Sequence, residues 1–417
     1  MCLAADVLHP QRGNVLLKWG YTLDRNIIRK LQDLEIHEVW VQYPGTDEIR
    51  EFISPAIHHK RGEVVTMLAG LLGRVQKLPD GSPHIKLRYD DYTQVLRELV
   101  EAIVSDTTAS SYILEMGGTP GSQLRHSAEV CFISILLGLK LQAYLINQRR
   151  RLPAHEARGV GCLALGAMLH DLGYMLLDEK VKKRYEQTGD QTDAAWQKHV
   201  RGGYDMVSGT IRPAAAGVVL QHHQHFDGSG FPLSEDELGF KRGLRGEEIH
   251  VFARIVAVAD RFDHLLHPSD GPSPPRVRVL RQMLSASEAV KFDPVVMAAL
   301  PLVVPAYAPG SILRLSNGEK AVVVRWHPAA PCRPLVQPLP DDVLENPRQI
   351  HEEAAPAYDL RERLDLTIVE QDGQDVSKDN FQLNANDSHA WMSGPTPKSP
   401  NEPPAVEAPV DSRSEAA

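Results

Sequence analysis

The chain has 417 residues, 42% of them hydrophobic and 24% charged, which excludes a disordered, collagen-like or small disulfide-stapled protein and leaves room for two or three structural units. The net charge is −9, of which the stretch from Asp372 to the end supplies −5 (eight acidic residues against Lys378, Lys398 and Arg413), so the remaining body is near neutral. With no basic face, binding to a nucleic-acid polymer is not expected and small-molecule chemistry is favoured.

In chain order, the first residues lack the basic, apolar and small-residue pattern of a signal peptide. Residues 14 to 42 read as strand, turn, helix and strand. Val15-Leu16-Leu17 comes first, then Leu23, Ile27, Ile28 and Leu31 at helical spacing, then Val39-Trp40-Val41. We expect residues 1–75 to form a small α+β accessory module with a scaffolding or sensory role. From 92 to 300 the pattern turns to long helical segments, an all-α domain. The longest apolar run, Cys131 to Ile146, is interrupted by Lys140 and Gln142 and is shorter than the roughly 20 residues a bilayer span requires. It reads as a buried helix, and no membrane association is expected.

Residues 301–371 read as a small β-rich module. Ile312, Leu313 and Leu315 precede Asn317-Gly318, a pair suited to a type I′ hairpin turn, and Ala321 to Val324 would be the returning strand. The apolar stretch Leu364 to Val369 offers another strand. From 372 to 417 polarity rises and six prolines fall between Pro395 and Pro409, so a disordered acidic tail is expected. Cys2, Cys131, Cys162 and Cys332 show no CxxC spacing. They indicate neither a disulfide framework nor a thiolate zinc site, and point to a reducing, cytoplasmic setting. The fold class is therefore mainly α, a helical domain flanked by a small α+β module and a small β-rich segment.

Five segments of the helical region carry histidine and aspartate at helix ends or on single faces. They are Arg125-His126-Ser127, His170-Asp171-Leu172-Gly173-Tyr174, His199 through Gly203, His222-His223-Gln224-His225-Phe226-Asp227-Gly228-Ser229-Gly230-Phe231-Pro232, and Ala259-Asp260-Arg261-Phe262-Asp263. Any one alone is equally what a surface or core histidine, or a helix cap, looks like. Asp260 differs in interrupting the apolar series Ile255, Val256, Val258 and Ala259, where a carboxylate needs a cationic partner or a metal. Imidazole and carboxylate donors together suit divalent iron, manganese, nickel or zinc. Two such ions about 4 Å apart would generate hydroxide at neutral pH and neutralise a phosphodiester during in-line attack.

Taken in order, these segments resemble the HD-GYP family of HD phosphohydrolases across roughly residues 92 to 300. Phe292-Asp293-Pro294-Val295-Val296 is similar to the family's closing helix. The resemblance implies two divalent ions, iron or manganese ahead of zinc or nickel. Their ligands would be His126, His170, Asp171, His199, His222, His223 and Asp260, with Asp171 as the bridge. It also implies cyclic di-GMP as substrate, opened to pGpG and often cut further to GMP. Catalytic roles are expected for Asp171 and for Tyr174 as donor to the leaving oxygen, and substrate contacts for Asp227, Gly228, Gly230, Phe231, Asp263 and Arg276. A signalling partner would dock on the DGSGFP loop or the N-terminal module.

The chain departs from the family at four points. Tyr174 stands for the lysine of HDxGK, and Phe231 for the GYP tyrosine. Residues 268–275 replace an Arg-Pro-Tyr-type segment, leaving Arg276 and Arg278 as substitutes. Ser122 stands where some members place a glutamate for a third metal, hence the expectation of two ions. These losses spare the metal donors and strike the substrate contacts. They keep open a receptor that binds nucleotide without turnover, and a phosphohydrolase for another phosphoester.

Overall fold

The computed structural model describes residues 2–9, 15–34, 36, 39–42, 46–77, 89–110, 122–235, 239, 241–268, 271–340 and 355–383. At the N-terminus, β1 (Val7–Leu8) and β2 (Val15–Leu17) pair antiparallel, and α1 (Arg25–Asp33) follows. The Asp24 carboxylate accepts from the Ile27 N–H at 2.8 Å and so starts α1 by satisfying a helix-end donor. Leu3, Val7, Leu23, Leu31 and Ile36 form this unit's own small core. The strand expected over Val39–Val41 is reduced to a single bridge between Leu3 and Val41. Its Trp40 ring is turned onto Gly310, where a Cβ would lie 2.1 Å from the indole.

The helical body begins earlier than the sequence suggests. Ser54 and Pro55 start α2 (Pro55–Val75), whose Ile57, Val64, Leu68, Leu71 and Val75 lie in the main core and not in the N-terminal one. The accessory unit therefore ends before α2, and not at residue 75. A buried Arg61–Glu129 ion pair of 2.9 Å holds α2 to the helix of His126.

The helices that follow are α3 (Tyr89–Ser105), α4 (Thr107–Ser110), α5 (Ser122–Lys140), α6 (Gln142–Gln148), α7 (Ala154–Ala157), α8 (Gly161–Leu169), α9 (Glu179–Thr188), α10 (Lys198–Val207) and α11 (Pro213–Gln221). The short strands β3 (Ser234–Glu235) and β4 (Lys241–Arg242) precede α12 (Val251–Leu266), α13 (Arg276–Met283), α14 (Ala286–Ala289) and α15 (Pro294–Ala299). The run Cys131–Ile146 is two helices, α5 and α6, meeting at 83°. The stretch from Ala154 to Leu169 is likewise two helices, α7 and α8, with Gly159 in the gap. The stretch Ala154–Leu176 matches a membrane span in length and hydropathy, but 67% of that window is buried inside the protein. At the centre α12 packs on α5, α8, α11, α13 and α15, and every residue from Val251 to Asp260 is buried.

A six-stranded antiparallel sheet closes the chain. It comprises β5 (Ile312–Leu315), β6 (Lys320–Arg325), β7 (Leu335–Leu339), β8 (Tyr358–Asp359), β9 (Ile368–Gln371) and β10 (Gln374–Asp375), in the order β10-β9-β5-β6-β7-β8. Leu313, Leu315, Val323, Val336 and Ile368 share one continuous core with the helices. The β5–β6 turn is not type I′, because among the described non-glycine residues only Asp372 has positive φ, and of the Asn-Gly pair only Gly318 does, at 89°. Asn317 instead accepts from the Glu319 N–H at 3.1 Å, giving a longer loop with one left-handed glycine.

Residues 372–383 do not belong to the disordered tail expected from Asp372. β10 pairs with β9, Val376 is fully buried, and Asp379 holds the Arg278 guanidinium at 2.8 Å. Residues 384–417 lie outside the described residues.

Candidate metal centre

Three helix ends present imidazoles in one way. His170 caps α8, His199 lies in the first turn of α10 and His222 caps α11. Their Nδ1 atoms sit 2.7, 2.7 and 3.0 Å from the carbonyl oxygens of Ala167, Trp196 and Val219, each three residues earlier. A carbonyl only accepts, so Nδ1 carries the proton and Nε2 keeps its lone pair for whatever lies inside.

What lies inside is Asp171. One carboxylate oxygen, Oδ1, is 3.4 Å from His199 Nε2 and 3.6 Å from His222 Nε2. The other, Oδ2, is 3.7 Å from His126 Nε2 and 3.8 Å from His170 Nε2. His126, on the second turn of α5, also has Nε2 3.1 Å from Asp260 Oδ1. His223 Nδ1 is 3.9 Å from Asp260 Oδ2. All seven expected donors are thus brought together. Among the described residues these seven, with His264 as an eighth group, form the clusters Asp171, His199, His222 and His223; His126, His170 and Asp171; and His126, Asp260 and His264.

The donor set fits divalent cations. His199 Nε2, His222 Nε2 and Asp260 Oδ1 are buried without a hydrogen-bond partner. Orphaned polar atoms of this kind are costly, and converging on one point they suit a cation. Burial drives His199 down to about 4, against the attraction of Asp171, and takes His223 well below its ordinary range, so both are neutral donors at pH 7. Burial alone would raise Asp171, but the surrounding imidazoles, His170 foremost, outweigh it and hold the carboxyl well below the usual range. Asp260 is held low against burial by His264, His126 and His170. Without a metal, burial opposes but does not cancel the pull of Asp260 and Asp263, and His126 is pushed up to about 10.

Glycines set the close approaches. A Cβ on Gly173 would lie 2.0 Å from the His199 carbonyl oxygen and 2.4 Å from the Gly203 nitrogen, so the turn after Asp171 is pressed directly on α10. A Cβ on Gly230 would lie 2.3 Å from both the His223 oxygen and the His225 nitrogen, which folds the DGSGFP loop back against His222-His223. In that loop the Phe231 ring stacks on His223, with centroids 4.8 Å apart. Gly228 takes φ of 89°, and the exposed Asp227 accepts from the Ser229 N–H at 2.9 Å, closing its own turn.

Several other expected site residues are engaged within the protein. Asp263 is only 1% exposed and bonds His126 Nδ1 at 2.7 Å and Arg125 at 2.9 Å, so it orients a donor and does not face substrate. Tyr174 gives its hydroxyl to Glu186 at 3.2 Å, and burial together with Glu186 raises its pKa. Arg276 opens α13. Arg278 is engaged by Asp379. Two features went unread in the sequence. His264 stands one turn beyond Asp260, and Trp196 packs against His199, with ring centroids 4.6 Å apart, and against His223 at 5.1 Å. The spacing Asp260/His264, i and i+4 on α12, was the available signal for the first.

A cluster of buried imidazoles around a shared aspartate on a helical body defines an HD domain, and residues 151–296 match the family model described as HD domain. That stretch, about a third of the chain, supports an HD domain of the HD-GYP type, as do the relatives that match it. It is 27% identical over 239 residues to the Cyclic di-GMP phosphodiesterase PA4108 of Pseudomonas aeruginosa, covering 53% of this chain and 50% of that one. The Cyclic di-GMP phosphodiesterase response regulator RpfG of Xanthomonas campestris pv. campestris is 34% identical over 127 residues, 30% of each chain. The 3'3'-cGAMP-specific phosphodiesterase 2 of Vibrio cholerae is 29% identical over 129 residues, 30% of this chain and 23% of that one. The match therefore spans half the length of these relatives or less.

Proposed function

We propose that this chain is a metal-dependent phosphodiesterase that hydrolyses cyclic di-GMP to pGpG, to GMP or to both. The observation that carries this reading is Asp171, whose two carboxylate oxygens face two separate groups of imidazoles. His126, His170, Asp171 and Asp260 would hold one divalent ion, and Asp171, His199, His222 and His223 the other, iron or manganese being the best match to this donor set. Ions bound there supply Lewis acidity to the phosphodiester and to the attacking water.

The protein's own contribution is positioning. The carbonyls of Ala167, Trp196 and Val219 fix three tautomers, Asp263 orients His126, and Phe231 and Trp196 wall the His223 side against water. The four free cysteines suit a cytoplasmic enzyme. A second reading, a receptor that binds the nucleotide without cleaving it, is favoured by Tyr174 and Arg278, both committed to protein partners.

The test is anaerobic purification with metal quantification, then incubation with cyclic di-GMP or 3'3'-cGAMP plus iron(II) or manganese(II), resolving products by chromatography. Linear dinucleotide should form from cyclic di-GMP and fall to background in His170→Ala/Asp171→Ala. Tight nucleotide binding without product, on a chain loaded with metal, would replace the hydrolase by the receptor. Faster turnover of 3'3'-cGAMP would reassign the substrate.

A further inference from the structure

Helix α12 contributes more to the centre than Asp260. One turn on, His264 lies on the same face, its Nδ1 3.0 Å from Asp260 Oδ1. On its other side the ring stands edge-on to His126, centroids 4.4 Å apart. His264 Nδ1 and His126 Nε2 thus approach the same carboxylate oxygen, at 3.0 and 3.1 Å. Two hydrogen bonds at those lengths would satisfy Asp260 Oδ1, yet that buried atom has no partner of acceptable geometry. The spacing has another source. Donors each ~2.1 Å from a common ion and at right angles stand ~3.0 Å apart, the separation found here. The His264 side chain is 31% exposed against 7% for Asp260, so it lies on the solvent side of the cluster.

We propose that His264 is a metal ligand, binding through Nδ1 the cation that His126 and Asp260 hold. The assignment rests on the metal-dependent reading above and adds an imidazole that the five sequence segments do not contain. It makes α12 a two-donor helix, Asp260 and His264 at i and i+4, and it gives the ion near His126 an extra neutral nitrogen. His264 Nδ1 also lies 3.0 Å from the Asp260 backbone carbonyl, the contact that holds a proton on Nδ1 of His170, His199 and His222, so ligation requires that Nδ1 give up this proton to bind the ion. In the competing, bracing assignment it keeps the proton and donates to that carbonyl, and the two differ in what a glutamine would do. Glutamine retains an N–H for the brace but is a poor ligand beside imidazole.

The experiment is metal retention by the full chain during titration with a chelator, read by elemental analysis, alongside the visible spectrum of the cobalt(II)-loaded protein. His264→Ala and His264→Gln are compared with the wild type, and circular dichroism of the metal-free proteins checks folding. Ligation predicts that both variants release one ion at a chelator concentration at least tenfold lower and that both change the cobalt band. Wild-type retention and an unaltered cobalt spectrum in His264→Gln would overturn the proposal in favour of the brace, whatever His264→Ala does. A wild-type chain that retains no metal would overturn the metal-dependent reading itself, and this proposal with it.

Discussion

His58 shows how a single buried group sets a solution property. It lies in the first turns of α2, 7% exposed, and neither ring nitrogen has a hydrogen-bond partner. Burial, reinforced by the Arg61 charge one turn on, lowers its pKa to about 4. In the unfolded chain the ring takes a proton near pH 6.5, and in the folded chain only near 4. The folded state is therefore fully favoured above 6.5 and loses stability as the pH falls through this window, by about 2 kcal/mol at pH 5. Urea unfolding of His58→Leu at pH 7.5 and pH 5 should show a stability loss on acidification smaller than the wild type's by that amount. An unchanged difference would mean that the histidine is solvated in the folded chain.

At the scale of elements, the centre depends on one close contact between the turn after Asp171 and α10. Because the Cβ of an alanine at 173 would meet backbone atoms and not a flexible side chain, Gly173→Ala must move α10, and His199 with it. We expect a loss of about 3 kcal/mol, the upper end of overpacking costs, and weaker metal retention. Gly217→Ala in α11 is the internal control, since nothing lies within 4 Å of its added methyl. That change should be neutral or stabilise by up to ~1 kcal/mol. Equal effects in thermal melts of the two variants would contradict the packing argument. The same dependence holds in the DGSGFP loop, where a Cβ on Gly230 would meet the backbone of His223 and His225.

For the whole molecule, the segment just after β9 belts the sheet to the helical body. Arg278 and Arg281 of α13 bond the Asp375 and Lys378 carbonyls, Tyr307 bonds Asn380 at 2.8 Å, and Val376 is fully buried. Burial of that valine alone contributes about 2 kcal/mol. Truncation after residue 383 should leave the melting temperature unchanged, because the Pro-rich acidic composition beyond it supplies no core. Truncation after residue 371 should lower it by several degrees, roughly 2–4 °C per kcal/mol lost. Similar melting temperatures for the two truncations would show that the belt carries no stability.

The legibility of this chain divides along sequence distance. Residue type and local spacing announced the donors, since His170-Asp171 and His222-His223 are adjacent and a carboxylate inside the apolar run of α12 calls for a cation whatever the fold. The mainly helical class and the β5–β6 hairpin were likewise local, carried by periodicity and by Asn317-Gly318. What escaped was contact over long separations. His126 meets Asp263 across 137 residues and Arg278 meets Asp379 across 101, so a carboxylate expected to contact substrate and an arginine offered as a substitute for a missing one both bond within the protein. The start of the helical body at α2, the ordered belt at 372–383 and the neighbouring positions of His264 and His126 have the same origin. A sequence states which atoms can donate, accept or ligate, but packing decides which of them are close enough to do so.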